Sequence, residues 1–475
     1  MNTITSKIFF SLLTFSLLFP VKIFPQGINI EGSWQGALKV SSIQFRIVFN
    51  IISSDEGNYK ATMDSPDQGA KDIPVDKVTL AGENLKIEMP AIRGEYNGLV
   101  NSESNKIEGT WTQAGINYQL DLEKADKPIV INRPQEPKEP FPYNSEEVTY
   151  ENTLAGNTLA GTFTFPKSGG PFPAVILITG SGAQNRNEEL LGHKPFLVLS
   201  DYLTKLGIAV LRFDDRGVGK STGDYKSATS KDFATDVLAG IEYLKTRIEV
   251  TKNEIGLIGH SEGGLIAPMV AVKSKDVAFI VLMAGPGLPG DQILLKQSAL
   301  ISKAGGESDE EIKKSDEINK KIYDIIKNES DSIKAHQEIT AIFKKFYDSL
   351  NEEEKKEAGD ENTALQMLSR VESPWFKLFL RYDPRPTLEK VTCPVLAING
   401  EKDLQVPAKE DLAAIKEALI KGGNGNFKTV ELKGLNHLFQ TAVTGAPIEY
   451  NTIEETIAPV ALHTIGDWIL SIVKK

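Results

Sequence analysis

IGLIGHSEGG, residues 255–264, decides how the rest of the chain is read. An apolar run of strand type ends at His260, and Ser261 follows between Gly259 and Gly263. The pentapeptide Gly259-His260-Ser261-Glu262-Gly263 has the G-x-S-x-G spacing of a nucleophile elbow, in which a serine sits on a strained turn from strand to helix. The flanking glycines have a physical reason. Strand and helix pass too close there for a side chain, and glycine adopts unusual backbone angles at little cost. Such a pattern arises by chance in roughly one chain in five of this length, so its meaning depends on what surrounds it.

Around the elbow, apolar runs alternate with helical sequence. PAVILITG (173–180) precedes a helical stretch near 193–206, IAVLRFDDRG (208–217) leads into DFATDVLAGIEYLKTR (232–247), and EIGLIGH leads into a helix from Glu262. AFIVLMAGPG (278–287) and CPVLAINGEKD (393–403) are further continuous runs, suited to strands buried on both faces of a parallel sheet. EEVTYENT and TLAGTFTFP read as a hairpin at the start of this unit. The alternation predicts an α/β domain over 144–475, a doubly wound, mostly parallel sheet.

The alternation stops between 288 and 386, where charged helical sequence carries two apolar faces. Ile318, Ile322, Ile325 and Ile326 form one, and Ile339, Ile342, Phe343 and Phe346 the other. This reads as a helical cap inserted between two strands, and its place past the strand ends makes it a candidate lid. Its most apolar part, SPWFKLFLRYDP (373–384), offers Trp375 and Phe376 as substrate-binding residues.

Residues 27–124 have a different period. FRIVFNI, NYKATM, NLKIEM, KIEGTW and NYQLDL are short alternating runs separated by turn residues, which predicts a small β-barrel or sandwich domain. EGSWQG (31–36) and GTWTQAG (109–115) read as related edge or closure strands, with Trp34 and Trp111 in the core. Five prolines and several charges between 125 and 143 suit an extended linker. Before all this, Lys7 precedes an apolar run from Ile8 to Phe19, too short for a membrane span of about twenty residues and right for the core of a signal peptide over 1–26. Export to the periplasm or the medium is expected, with an uncleaved anchor as the alternative and no later segment able to span a bilayer.

Composition excludes other classes. A formal net charge of −11 gives a nucleic-acid partner no electrostatic support. Cys393 is the only cysteine, which rules out intramolecular disulfides and a cysteine-based zinc cluster.

A serine nucleophile needs a base, a group to orient that base, and N–H donors for the oxyanion. With this kind of elbow the chain order is serine, acid, histidine. Five histidines exist: His193, His260, His336, His437 and His463. His193 comes before the serine, His260 sits inside the elbow, and His336 and His463 fall on amphipathic helical sequence. His437, in VELKGLNHLF, follows in the right order. For the acid, Asp403 follows the strand VLAI within a turn; Glu401 is the substitute, and Asp383 fits better as part of its own DPRP turn. The loop in ITGSGAQNRNE points to the backbone N–H groups of Ser181 and Glu262 as the oxyanion hole.

GSGAQNRNE, FDDRGVGKS, GHSEGG, NGEKDLQVP and GLNHLF, in this order along the chain, resemble the bacterial carboxylesterases of the α/β-hydrolase superfamily, including the EstD-like group. The resemblance covers roughly 145–475. It implies an eight-stranded fold and hydrolysis of small carboxylic esters with Ser261, Asp403 and His437 as the catalytic residues. It implies no metal or organic cofactor. Ala183 and Asn187 depart from the GSGPQDRDE-type loop of that group. A peptidase or amidase uses the same triad and fold, and an inert hydrolase fold beside a ligand-binding β-domain is the reading from another class.

Overall fold

The computed structural model describes residues 28–40, 43–54, 58–68, 70–101, 105–125, 132–351, 355 and 371–473. The segment read as an export signal lies outside them, as does 126–131 of the linker. Among the described residues no helix is long and apolar enough to cross a membrane.

Ten antiparallel strands between Gly32 and Ala125 form the N-terminal unit. The first, Gly32–Val40, pairs with Ile43–Ser53 on one side and with Leu122–Ala125 on the other. Leu122–Ala125 also pairs with Lys106–Gln113, so the sheet closes on itself as a barrel. EGSWQG therefore takes part in closure, with Trp34 opposite Lys124. Trp34 and Trp111 are both buried, and Phe49 lies 5.7 Å from Tyr96 and 6.1 Å from Trp111 at the centre of the core.

The larger unit is built on eight strands: β1 (Asn144–Asn152), β2 (Asn157–Phe165), β3 (Phe172–Ile178), β4 (Ala209–Phe213), β5 (Val250–His260), β6 (Val277–Met283), β7 (Val395–Gly400) and β8 (Phe427–Leu432). Their spatial order is β1-β2-β4-β3-β5-β6-β7-β8. β1 and β2 pair antiparallel as the expected hairpin, and from β4 onward the pairs are parallel. Each central strand is buried on both faces, which explains why those runs are continuously apolar. Helices α1 (Pro195–Lys205), α2 (Ser230–Thr246) and α3 (Glu262–Ala271) cross between the strands.

Between β6 and β7 lie α4 (Gly290–Ala304), α5 (Asp309–Asn328), α6 (Ser332–Asp348) and α7 (Pro374–Arg381). Ile322, Ile326, Ile339 and Leu380 are buried together, with Ile318, Ile325, Ile342 and Phe343 packed around them. The two apolar faces read from the sequence meet each other. α8 (Ala408–Lys421) follows β7, and α9 (Pro459–Val473) ends the described chain.

The described half of the proline-rich segment is anchored. The Arg133 guanidinium donates to the carbonyls of Leu191 (3.1 Å), Gly192 (3.2 Å), Asn451 (3.1 Å) and Ile453 (3.0 Å). Gln135 accepts the N–H groups of Thr456 and Ile457 and donates to the Ile457 carbonyl. Charged donors contribute roughly 1.5–3 kcal/mol per bond. A chain starting at Asn132 should therefore unfold in urea at the midpoint of the full protein's larger unit, while one starting at Tyr143 should lose at least about 2 kcal/mol. Equal midpoints for the two truncations would mean that this anchor contributes nothing.

Candidate active site

β5 runs into α3 through a single residue. Ser261 has φ 51° and ψ −116°, in the left-handed region that a side chain rarely occupies. Such strain costs on the order of 1–3 kcal/mol and persists only where the surroundings over-determine it. Here the Ser261 N–H donates to the Met283 carbonyl of β6 at 2.8 Å, and the Gly264 N–H donates to the Ser261 carbonyl at 2.8 Å. Gly259 permits the turn because a Cβ there would lie 2.0 Å from the Gly263 carbonyl oxygen. The result puts Ser261 at the end of the strand and at the N-terminus of a helix.

Asp403 follows β7, and its Oδ1 accepts the N–H groups of Gln405 (2.8 Å) and Val406 (2.9 Å). That leaves Oδ2 facing His437 Nδ1 at 2.8 Å, with both residues buried. A carboxylate there holds the proton on Nδ1 and leaves Nε2 free to act as a base. Glu401 instead accepts the Gly434 N–H at 2.9 Å, and Asp383 is paired twice with Arg385 inside its own turn. His437 lies against the elbow, its ring 4.9 Å from that of His260. Among the described contacts no hydrogen bond joins the Ser261 hydroxyl to His437; in unliganded enzymes such bonds are often long and tighten on binding.

The other histidines have local duties. His336 pairs with Glu372 on the surface, and His463 packs on the Tyr202 ring. His193 is buried between Thr456 (3.0 Å) and the Tyr450 carbonyl (2.8 Å). Burial, helped by the nearby Arg133 charge, lowers its imidazole to about 4. Above pH 6.5 both folded and unfolded forms are neutral at this site. Between 6.5 and 4 only the unfolded chain takes up the proton, so stability falls as pH drops through that window. The loss should reach about 3 kcal/mol, and His193→Gln should flatten the dependence of the melting temperature on pH.

The loop after β3 is held from below by carboxylates that sequence reading missed. Asp214 accepts the Arg186 N–H at 2.9 Å and pairs with its guanidinium at 2.8 Å. Asp215 accepts the Thr179 hydroxyl (2.7 Å) and the Gln184 N–H (2.9 Å). Burial pushes the Asp215 carboxyl up to about 8 despite these bonds. Glu188 accepts the Gly180 N–H at 2.6 Å, and Asn187 accepts from Arg212. The signal was present as two motifs, FDDRG and GSGAQNRNE, whose polar residues turn out to be one another's partners. Ser181, at the exposed tip of this loop, shares a cleft with Ser261 and Glu262. As the first residue of α3, Glu262 has a backbone N–H without a partner inside the helix.

Pro286, Ile293, Leu294, Trp375, Phe379 and Val406 supply the apolar walls of that cleft. Of the two residues offered for substrate binding, Trp375 lines this cleft, whereas Phe376 packs against Tyr323 and the buried isoleucines of the insertion, with the Tyr323 and Phe376 ring centroids 6.0 Å apart. Phe379 lines the cleft as well, because one helical turn sets it beside Trp375 with the rings stacked at 5.3 Å. The Trp375 indole donates to Glu262 Oε1 at 2.7 Å, and the Ser230 hydroxyl donates to the same oxygen at 2.5 Å. Burial raises the Glu262 carboxyl above its ordinary range.

An eight-stranded sheet in this order, with a serine elbow after β5, an acid after β7 and a histidine after β8, defines an α/β-hydrolase. Within that class, the pattern of the X-Pro dipeptidyl-peptidases (S15 family) matches residues 155–418, more than half of the chain, and the chain belongs to that family. Esterase EstD of Thermotoga maritima is 26% identical over 309 residues, covering 65% of each chain. The putative hydrolase YtaP of Bacillus subtilis is 33% identical over 117 residues, 21% of this chain and 39% of that one. The matches thus span just under two thirds of the length of the first curated relative and 39% of the second. An esterase of Pyrococcus furiosus of known structure is 20% identical, with 73% of this chain and 98% of that one covered at a TM-score of 0.43.

Proposed function

We propose that this protein is a serine hydrolase that cleaves small carboxylic esters outside the cytoplasm. The observation that carries the reading is the 2.8 Å contact of Asp403 Oδ2 with His437 Nδ1 beside a serine held at φ 51°. The name of the Thermotoga relative supports an ester substrate. In the cycle, Ser261 Oγ attacks the ester carbonyl carbon and passes its proton to His437 Nε2. The oxyanion forms against the N–H groups of Ser181 and Glu262. Collapse breaks the bond to the alcohol oxygen, which leaves with the proton from His437. Water then attacks the acyl-enzyme, gives a proton to the same nitrogen, and releases the acid and Ser261.

The free volume of the cleft, about 50 Å³, favours short acyl groups. Rates on p-nitrophenyl esters should peak between acetate and butyrate. Trp375→Ala should raise the hexanoate-to-acetate ratio of kcat/KM roughly tenfold or more. A melting temperature that drops while the ratio stays fixed would instead make Trp375 a packing residue only.

The family description favours a second reading, hydrolysis of X-Pro peptide bonds. Parallel assays with p-nitrophenyl esters and X-Pro anilides decide between them, and turnover of the anilides alone would overturn the ester assignment. Fluorophosphonate labelling of Ser261 separates either enzyme from an inert binding protein.

A further inference from the structure

Two buried ionisable groups beside the site take no part in that cycle, Glu188 on the loop after β3 and His260 in the elbow; they are 5% and 6% exposed. Glu188 Oε1 faces His260 Nδ1 at 2.9 Å while it accepts the Gly180 N–H at 2.6 Å. On the far side of the ring, His260 Nε2 lies 3.0 Å from the carbonyl oxygen of His437. A carbonyl oxygen can only accept, so Nε2 carries a proton. Oε1 is already an acceptor for Gly180, and a protonated Nδ1 gives it a second donor. The pair is then an imidazolium facing a carboxylate. Asp403 and Asp215, whose charges also act on the pair, are carboxyl groups and supply no competing cation. Burial opposes the charge on His260, but Glu188 outweighs it and holds the imidazole above its ordinary range.

These contacts form one string: Gly180 N–H, Glu188, His260, His437 carbonyl. It joins the loop carrying Ser181 to the residue carrying the base, and Ser261 is bonded covalently to His260. Little slack exists along it, since a Cβ on Gly180 would lie 3.3 Å from the Ser261 Cβ. We propose that Glu188 and His260 are a positioning pair that sets the oxyanion loop and the His437 backbone as a single unit. The proposal rests on the triad reading given above. Neither residue touches substrate. Their effect is to keep donor and base in register when charge develops in the transition state, where a misplacement of about 1 Å costs on the order of 10²-fold.

The test uses the full chain with Glu188→Gln and His260→Gln, each near-isosteric and unable to hold the paired charges. Each should lower kcat on p-nitrophenyl butyrate roughly 10²-fold with KM held within about threefold. Affinity for a trifluoromethyl ketone, which mimics the tetrahedral intermediate, should fall in parallel with kcat. The double variant should be no worse than the poorer single one, because the two act as one unit. Retained kcat in a folded single variant, a loss confined to KM, or additive losses in the double variant would each overturn the proposal. If the variants do not fold, a ¹⁵N-monitored pH titration of histidine-labelled wild-type protein decides: His260 should keep protons on both ring nitrogens to a higher pH than a free imidazole does, and loss of one of them at or below that pH overturns the pair. That titration is independent of turnover. Failure of the triad reading would show separately, as activity kept by Ser261→Ala.

Discussion

Ser261→Ala is expected to lower kcat by roughly 10⁴-fold or more, and His437→Ala by a similar factor, with the fold intact in both. The size follows from how the residues act. Without the hydroxyl there is no acyl-enzyme, and without the imidazole the hydroxyl keeps its proton, so either loss removes the same step. Residual turnover would come from the oxyanion donors and from binding alone. Stability should hold because neither change opens a large cavity. The alanine at 261 inherits the same φ of 51°, and its methyl group is smaller than the side chain already there. Asp403→Asn should be nearly as severe, since an amide in place of Oδ2 no longer holds the proton on Nδ1 of His437. Glu401→Gln should do little, because that carboxylate reaches only the Gly434 N–H. Steady-state kinetics on p-nitrophenyl butyrate, with circular dichroism as the fold check, measure all four. Near-normal activity in purified Ser261→Ala would end the nucleophile assignment. A severe Glu401→Gln beside a mild Asp403→Asn would move the acid to Glu401.

What could be read before any coordinates depended on whether the signal was local. The strands of the larger unit were legible because burial on both faces makes a run apolar throughout, as in Ile255–His260 and Val395–Gly400. The two faces of the helical insertion were legible because period 3.6 survives in sequence, and α5 and α6 do pack through them. The triad candidates followed from chain order. Phe376 lies among the isoleucines of the insertion for a reason of phase: the periodicity shows that Trp375 and Phe379 share a side of α7, but which side meets the cleft is set by contacts with α4 and α5. The Arg133 anchor was hidden because its acceptors are backbone carbonyls, including Asn451 and Ile453 more than three hundred residues away. Asp214, Asp215 and Glu188 were hidden for the opposite reason. Their residue types look like ordinary turn polarity, and only the fold shows that they face inward beneath one loop.

Gly263→Ala should strongly destabilise the larger unit. A Cβ there would lie 2.1 Å from the Ile178 carbonyl oxygen, 2.8 Å from the Ile178 carbonyl carbon and 2.8 Å from the Thr179 carbonyl oxygen. All three atoms are backbone, so no side chain can rotate away to make room. Ile178 ends β3, which is paired with β4 on one side and β5 on the other, so the strand cannot retreat without breaking a ladder. Moving α3 instead would drag Ser261 and the Glu262 N–H out of line, because Glu262 is the helix's first residue. Overpacking of a compliant core costs about 1–3 kcal/mol. With neither wall able to yield, the cost here should reach about 4 kcal/mol, or roughly 6 °C in melting temperature for a unit of this size. Whatever folds should have lost most of its kcat, since the displaced loop carries Gly180 and Ser181. Gly425→Ala is the control, with nothing within 4 Å of its added Cβ and an ordinary φ, and it should melt within a degree or so of wild type. Calorimetry of the two variants side by side checks the argument. A Gly263→Ala protein that melts with the control and turns over normally would mean that strand and helix are not held at the distance on which the elbow depends.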